Sequence, residues 1–241
     1  MRIALCISGY FNSTKDKSSR GLDGFKHIKN HILHNNNVDI FIHSWDINSK
    51  IEIENLYAPY LKESFFEPQI DFKPIYFQNN LDIFKPHGTP FWNVLSQYYS
   101  VQKSFELCYN TSKKYDCVIK ARFDLGRINR KASGNSKQNP YAVQCINFDK
   151  SLNMNNLYMA DWQYINSEGP ADMWFYSGYQ NMKNFTKVFD ILSKDIRTES
   201  EFEIWAGDND GGIVNAIKGW KWFFIKTNLW EKKSLLPTYW E

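Results

Sequence analysis

Three short apolar runs in the first half of the chain each end abruptly in polar residues, and this repetition constrains the fold more than any other feature. Arg2–Ser8 (RIALCIS) closes on Gly9, Val38–His43 (VDIFIH) closes on Ser44-Trp45-Asp46, and the run through Val118 and Ile119 closes on Arg122-Phe123-Asp124. Short runs rich in Ile and Val, without polar alternation, read as strands buried on both faces. Between them lie amphipathic stretches. Leu22–Leu33 puts Leu22, Phe25, Ile28, Ile32 and Leu33 on one helical face, and Ile51–Leu61 reads as a short helix. Pro74–Phe77 predicts a short strand, and Asn93–Lys114 a long helix buried through Val94, Tyr98, Val101, Phe105 and Leu107-Cys108. The order strand, helix, strand, helix, strand, helix, strand predicts an α/β fold with a mostly parallel sheet flanked by helices. Open sheets of this kind bind ligands outside the carboxyl ends of their strands. The three polar clusters are therefore expected on one edge.

The second half is less regular. Asn155–Ala160 and Ala171–Ser177 read as strands around a Gly169-Pro170 turn, and Asn181–Leu192 as an amphipathic helix. Trp220–Lys226 reads as a last strand, and the aromatic tail from Leu235 to Glu241 is expected to pack back onto the body. Residues 126–140 are rich in Arg, Lys, Ser and Asn and predict a mobile loop beside the site. Glu199–Ile217 is helical in pattern at its ends, but Gly207, Gly211 and Gly212 break its middle. Within that break stand Asp208 and Asp210, a composition that suits a site loop; Asp208 also suits a cap for the helix that follows.

Composition excludes several classes. A formal charge of +3 over 241 residues does not point to nucleic acid, and no dense basic run is present. The four cysteines form no CxxC pair and no zinc spacing, and Cys6 and Cys117 fall in predicted buried strands, as inert core thiols do. No run is apolar and long enough to span a membrane, and a strand pattern begins at Arg2, so the expected compartment is the cytoplasm. GxGxxG, Walker A, DxDxT, HExxH and GxSxG are all absent. Aromatic residues reach a high 17%; many are expected in the core, and some excess is common where sugars or bases stack.

Arg122 and Asp124 are two apart, so in extended backbone they share one side. They form either a simple ion pair at a strand end or a place where a phosphate and a hard metal meet. Gly9 opens either a nucleotide loop or an ordinary β–α turn. Gln97, Ser100 and Lys103 of the long helix face either a ligand or water, and His43 reads as either a ligand or, the favoured reading, a structural histidine.

These stretches together resemble the nucleotide-sugar-dependent glycosyltransferases of the GT-A type, in particular the small bacterial and large-DNA-virus enzymes that build surface glycans. The resemblance rests on Arg2–Gly9, Asp39–Asp46, Gln97–Lys103 and Asp116–Asp124, taken in that order, and more loosely on Asp172–Ser177 and the Asp208 loop. It implies a GT-A-like (Rossmann-like) fold, with residues 1–126 as the nucleotide-sugar half and 127–241 as a smaller acceptor half. It implies a nucleotide-diphosphate-sugar donor and a carbohydrate acceptor. It also implies that Ser8, Gly9, Tyr10, Asp46, Lys103 and Arg122 contact the nucleotide. Where the family has a DxD motif for Mn²⁺ or Mg²⁺, this chain has Arg122-Phe123-Asp124, which leaves Asp124 as the metal ligand. Because Asp124 follows the strand, its replacement by Asn is expected to leave the fold intact. Trp205, Gly207 and Asp208 match in kind a Trp-Gly-Gly-Glu-Asp-Asp stretch of β-1,4-galactosyltransferases, and Asn209 stands where that family has its catalytic Asp, so Asp208 and Asp210 compete as the base. A non-catalytic sugar or nucleotide binder on the same fold is the alternative.

Overall fold

A computed structural model describes residues 1–12, 20–74, 91–126, 134–135, 137, 140–195 and 216–240. Its centre is a seven-stranded sheet in the order β3-β2-β1-β4-β7-β6-β8. The strands are β1 (Arg2–Gly9), β2 (Asn37–Ser44), β3 (Leu61–Phe66), β4 (Cys117–Arg122), β6 (Leu157–Ala160), β7 (Trp174–Ser177) and β8 (Lys233–Leu236). A separate two-stranded ribbon joins β5 (Gly134–Asn135) to β9 (Tyr239–Trp240). Strands β3, β2, β1 and β4 run parallel; β7 pairs antiparallel with both β4 and β6, and β8 runs parallel with β6. Only β7 opposes the rest. The expected mostly parallel α/β sheet is what forms.

The apolar runs explain the middle of the sheet. β1 buries Ile3 through Ile7 completely, and β4 buries Cys117 through Ala121. A strand enclosed on both faces needs no polar alternation. The chain moves outward from β1 to β2 and β3, then returns to lay β4 on the other side of β1. That reversal makes β1/β4 a topological switch point, where the strand ends part and leave a crevice.

Helices α1 (Arg20–Ile28, continued by a π turn through Leu33) and α2 (Lys50–Tyr57) connect the first strands, and α3 (Phe91–Asn110) packs on β1 and β2. Gly24 of α1 lies so close to the turn after β4 that a Cβ there would stand 1.7 Å from the Phe123 carbonyl oxygen, so glycine is required for the contact. In the second half, α4 (Tyr179–Met182), a 3₁₀ turn (Lys183–Lys187) and α5 (Val188–Asp195) precede α6 (Ala216–Lys226).

Two expectations need correction. Trp220–Lys226 is helical rather than a strand: Trp220, Phe223 and Phe224 share one buried face, where Trp220 stacks on Phe185 at 5.5 Å and meets Tyr98 edge-on at 5.3 Å. A continuous apolar run fits a buried helix as well as a buried strand, and here packing decided. Helix α2 stops at Tyr57, and Leu61 opens β3 instead of closing the helix. The third described strand is thus Leu61–Phe66, and the expected strand Pro74–Phe77 lies, beyond Pro74, outside the described residues. Strand β3 is a sheet edge with exposed Lys62 and Glu63, charges that suit an edge and hide its pattern. The tail packs back as expected, with Leu236 paired to Ala160 and Thr238 buried.

Candidate active site

The carboxyl ends of β1, β2 and β4 stand side by side: Ser8 is in register with both His43 and Arg122, and Gly9 with Ser44. Above them opens a cavity of about 670 Å³. Ser8, Gly9, Tyr10 and Asn12 line it from the end of β1, Trp45 from β2, and Arg122, Phe123 and Asp124 from β4. The segment Gln69–Phe72 and one face of α3, with Trp92, Asn93, Ser96, Gln97 and Ser100, complete the wall. A cavity of this size fits a small-molecule or cofactor site.

The β1 side of the floor is held by a relay of hydrogen bonds. Gly9 adopts φ +109°, a left-handed conformation that favours glycine, and both its backbone polar groups are tied. Its N–H donates to Ser100 Oγ (3.0 Å), and its carbonyl accepts from Ser44 Oγ (2.8 Å). Ser100 Oγ lies 2.7 Å from His43 Nδ1, and His43 Nε2 lies 3.0 Å from Glu67 Oε1. A neutral imidazole donating from Nε2 to Glu67 accepts at Nδ1 from the Ser100 hydroxyl, so every member has a partner. Burial holds His43 below its ordinary pKa, against the pull of Glu67. Histidine here is a structural spacer, as the sequence reading had it.

Ions hold the β4 side. Arg122 donates from Nε and Nη2 to the two oxygens of Asp124 (2.8 and 2.9 Å) and from Nη1 to Asp172 Oδ2 (2.9 Å). Asp172 also accepts from Gln97 Nε2, and its backbone carbonyl accepts from Lys120 Nζ. Lys120 is fully buried, with its ammonium 5.2 Å from the Phe175 ring centre and 5.5 Å from that of Trp220. Burial pushes that ammonium down to about 7, opposed by the charges of Asp172 and Asp124. Asp124 and Asp172 are both pushed up by burial and pulled down further by Arg122, for a net lowering. The Arg122 guanidinium is stabilised above all by Asp124.

The structure therefore brings Ser8, Gly9, Tyr10, Arg122 and Asp124 together at one cavity. It does not bring Lys103 or Asp46 to the cavity wall. Lys103 pairs with Glu106 at 2.7 Å and lies over the Tyr99 ring, while Asp46 accepts from the Asn12 backbone N–H at 3.1 Å and so braces the loop after β1. Asp208 and Asp210 lie outside the described residues. Lys120 and the Gln69–Phe72 segment join the site unannounced, and Asp172, from the looser part of the resemblance, joins it as a partner of Arg122. Asp172 and Lys120 carry no local pattern that marks them, but Asn93, Ser96, Gln97 and Ser100 recur at helical spacing and form a polar stripe on α3.

The residues present do not suit a divalent metal at Asp124. Both of its oxygens accept from Arg122, whose guanidinium also pairs with Asp172, so Asp124 already has a fixed cation beside it. A hard cation needs a shell of several oxygens, and among the described residues no three His, Cys, Asp or Glu side chains stand together to begin one. The same pairing argues against the expectation that Asp124 can be neutralised freely, since Asp124→Asn breaks a bidentate bond.

No protein-family model and no curated protein sequence matches the chain. Among solved structures it is similar to mouse xyloside xylosyltransferase 1 in its apo form, with 9% identity, coverage of 98% of this chain and 84% of that one, and a TM-score of 0.48. A likeness at that level leaves fold and site to be argued from this chain's own geometry.

Proposed function

We propose that the chain is a glycosyltransferase that moves a sugar from a nucleotide-diphosphate donor to a carbohydrate acceptor, in the synthesis of a surface polysaccharide or glycoprotein glycan. The observation that carries this reading is the cavity at the β1/β4 switch point, with Ser8-Gly9-Tyr10 and Arg122–Asp124 side by side in its wall. In this reading residues 1–126 hold the nucleotide and the remainder receives the acceptor. Ser8, Gly9 and Tyr10 lie along the nucleotide, Arg122 at the diphosphate, and Asp124 accepts from donor hydroxyls with the lone pairs that Arg122 leaves open. Transfer forms a bond between the acceptor oxygen and the anomeric carbon and breaks the bond from that carbon to the diphosphate. An inverting enzyme also needs a carboxylate to take the acceptor's proton. Asp208 is our first choice for that base and Asp210 our second, on the sequence pattern alone. Among the described residues no helix is long and apolar enough to cross a membrane.

The test is a turnover screen with UDP-, GDP-, dTDP- and CMP-sugars, followed by Asp208→Asn and Asp210→Asn. The base variant is expected to bind donor normally and to lose turnover by about 10²-fold or more. One observation favours a second reading, a binder without turnover: both described carboxylates at the β4 end are held below their ordinary pKa by Arg122 and are poor bases. Donor binding without turnover of any sugar nucleotide would select it.

A further inference from the structure

We propose that Arg122 is the fixed cation of this site and that a nucleoside diphosphate binds here without a divalent metal. The proposal rests on the nucleotide-sugar reading above and gives its diphosphate a partner. A guanidinium carries five N–H donors in a rigid fork. Three of those on Arg122 are spent on Asp124 and Asp172, and two have no partner among the described residues. The side chain is 34% exposed and lines the cavity, so it remains within reach of a ligand.

The two carboxylates do more than neutralise the arginine. Asp124 grips one edge of the guanidinium and Asp172 one of its terminal nitrogens, which fixes the plane of the fork before any ligand arrives. Asp172 is itself fixed, through the donor from Gln97 and through the Lys120 ammonium on its backbone carbonyl. A guanidinium held this way loses little freedom on binding, and its planar fork matches phosphate oxygens. A metal at the same place would have to take Asp124 from Arg122 and leave the guanidinium beside it, like charge against like charge. The arrangement thus favours an oxyanion over a second cation.

The measurement is binding of UDP, GDP and dTDP to the full chain by calorimetry, in EDTA and in Mn²⁺. For the nucleotide that binds, the expected wild-type affinities differ by less than about threefold between the two conditions, and Arg122→Lys weakens binding in EDTA by about tenfold or more, because an ammonium cannot reproduce the fork. Arg122→Asp removes the guanidinium and leaves three carboxylates at the β4 end; its binding is expected only in Mn²⁺. Wild-type binding that appears only with Mn²⁺ would overturn the proposal while leaving the glycosyltransferase reading in place. Equal affinity of the wild type and Arg122→Lys in EDTA would overturn it as well. If none of the three nucleotides binds in either condition, the nucleotide-sugar reading itself falls, and this inference with it. The wild-type comparison needs no variant, so a misfolded substitution does not blunt the test.

Discussion

The floor of the cavity is built in two different ways. At the end of β1 a relay through Ser100, His43 and Glu67 ties down the backbone of Gly9, with an uncharged imidazole at its centre. At the end of β4 four charged side chains, Lys120, Arg122, Asp124 and Asp172, hold one another, and part of one guanidinium is left over. The first device spends all its hydrogen bonds on the chain itself and shapes the floor. The second leaves two guanidinium donors that no described residue takes. Polar residues at strand ends therefore do not all play one part, even when they line one pocket: satisfied donors position backbone, and unsatisfied ones wait for a ligand.

The sharpest way to break this contrast is to remove the support of the charged side. Lys120→Ala deletes a fully buried stem from between Phe175 and Trp220 and takes a donor from the Asp172 carbonyl. The expected loss is about 3 kcal/mol in urea unfolding. A loss below about 1 kcal/mol would show that the aromatic block does not need the lysine. Arg122→Ala comes next. It strands Asp124 and Asp172, and because the guanidinium meets water the cost is expected at about 2 kcal/mol rather than the larger value of a fully buried pair. Part of that loss should reappear in the wild type as salt sensitivity, which differential scanning fluorimetry across a NaCl series would detect.

On the neutral side the effect should be smaller. Ser100→Ala leaves the Gly9 N–H and His43 Nδ1 without their partner, at an expected cost of about 1 kcal/mol. Nucleotide affinity should then change less than in Arg122→Lys. An equal loss of affinity in the two variants would mean that the relay, too, serves the ligand.

A pH scan separates the two sides by window, since both make stability rise with pH. Lys120 has a folded pKa of about 7, below its unfolded value, so between the two the unfolded chain holds a proton that the folded chain does not. Stability should therefore rise as pH goes from 7 to 8, by less than about 1 kcal/mol, and Lys120→Met should abolish the rise. His43 is also lowered, mainly by burial, and His27 is pushed down to about 3 by burial and by neighbouring His31. Their contribution is complete above the unfolded value of about 6.5 and is lost as pH falls below it. His43→Gln should remove part of this acid lability without touching the rise above pH 7. Melting temperatures at half-unit steps from pH 5 to 8.5 would show both limbs, and a single limb carried by one residue would dissolve the distinction.

Much of the architecture was readable in advance from local pattern. Buried strands such as β1 and β4 need apolar residues at every position, helices such as α3 need a stripe, and both requirements are written along a few consecutive residues. Alternation of the two leaves a parallel sheet as the economical arrangement, and a parallel sheet puts its strand ends on one edge. Ser8, Gly9, Arg122 and Asp124 could be placed on that edge for this reason. The helical form of Trp220–Lys226 and the start of β3 at Leu61 were not readable, because an apolar run and a charged edge strand each satisfy two local rules equally well. Partners were beyond local pattern altogether. Whether Asp124 faces a ligand or an arginine, and whether Asp172 takes part at all, depends on side chains from β4, α3 and the turn before β7 meeting at distances of a few ångströms. Asp172 is 50 residues from Arg122 along the chain, and only the antiparallel pairing of β7 with β4 closes that gap. Electrostatics falls off with distance in space and takes no account of distance along the chain.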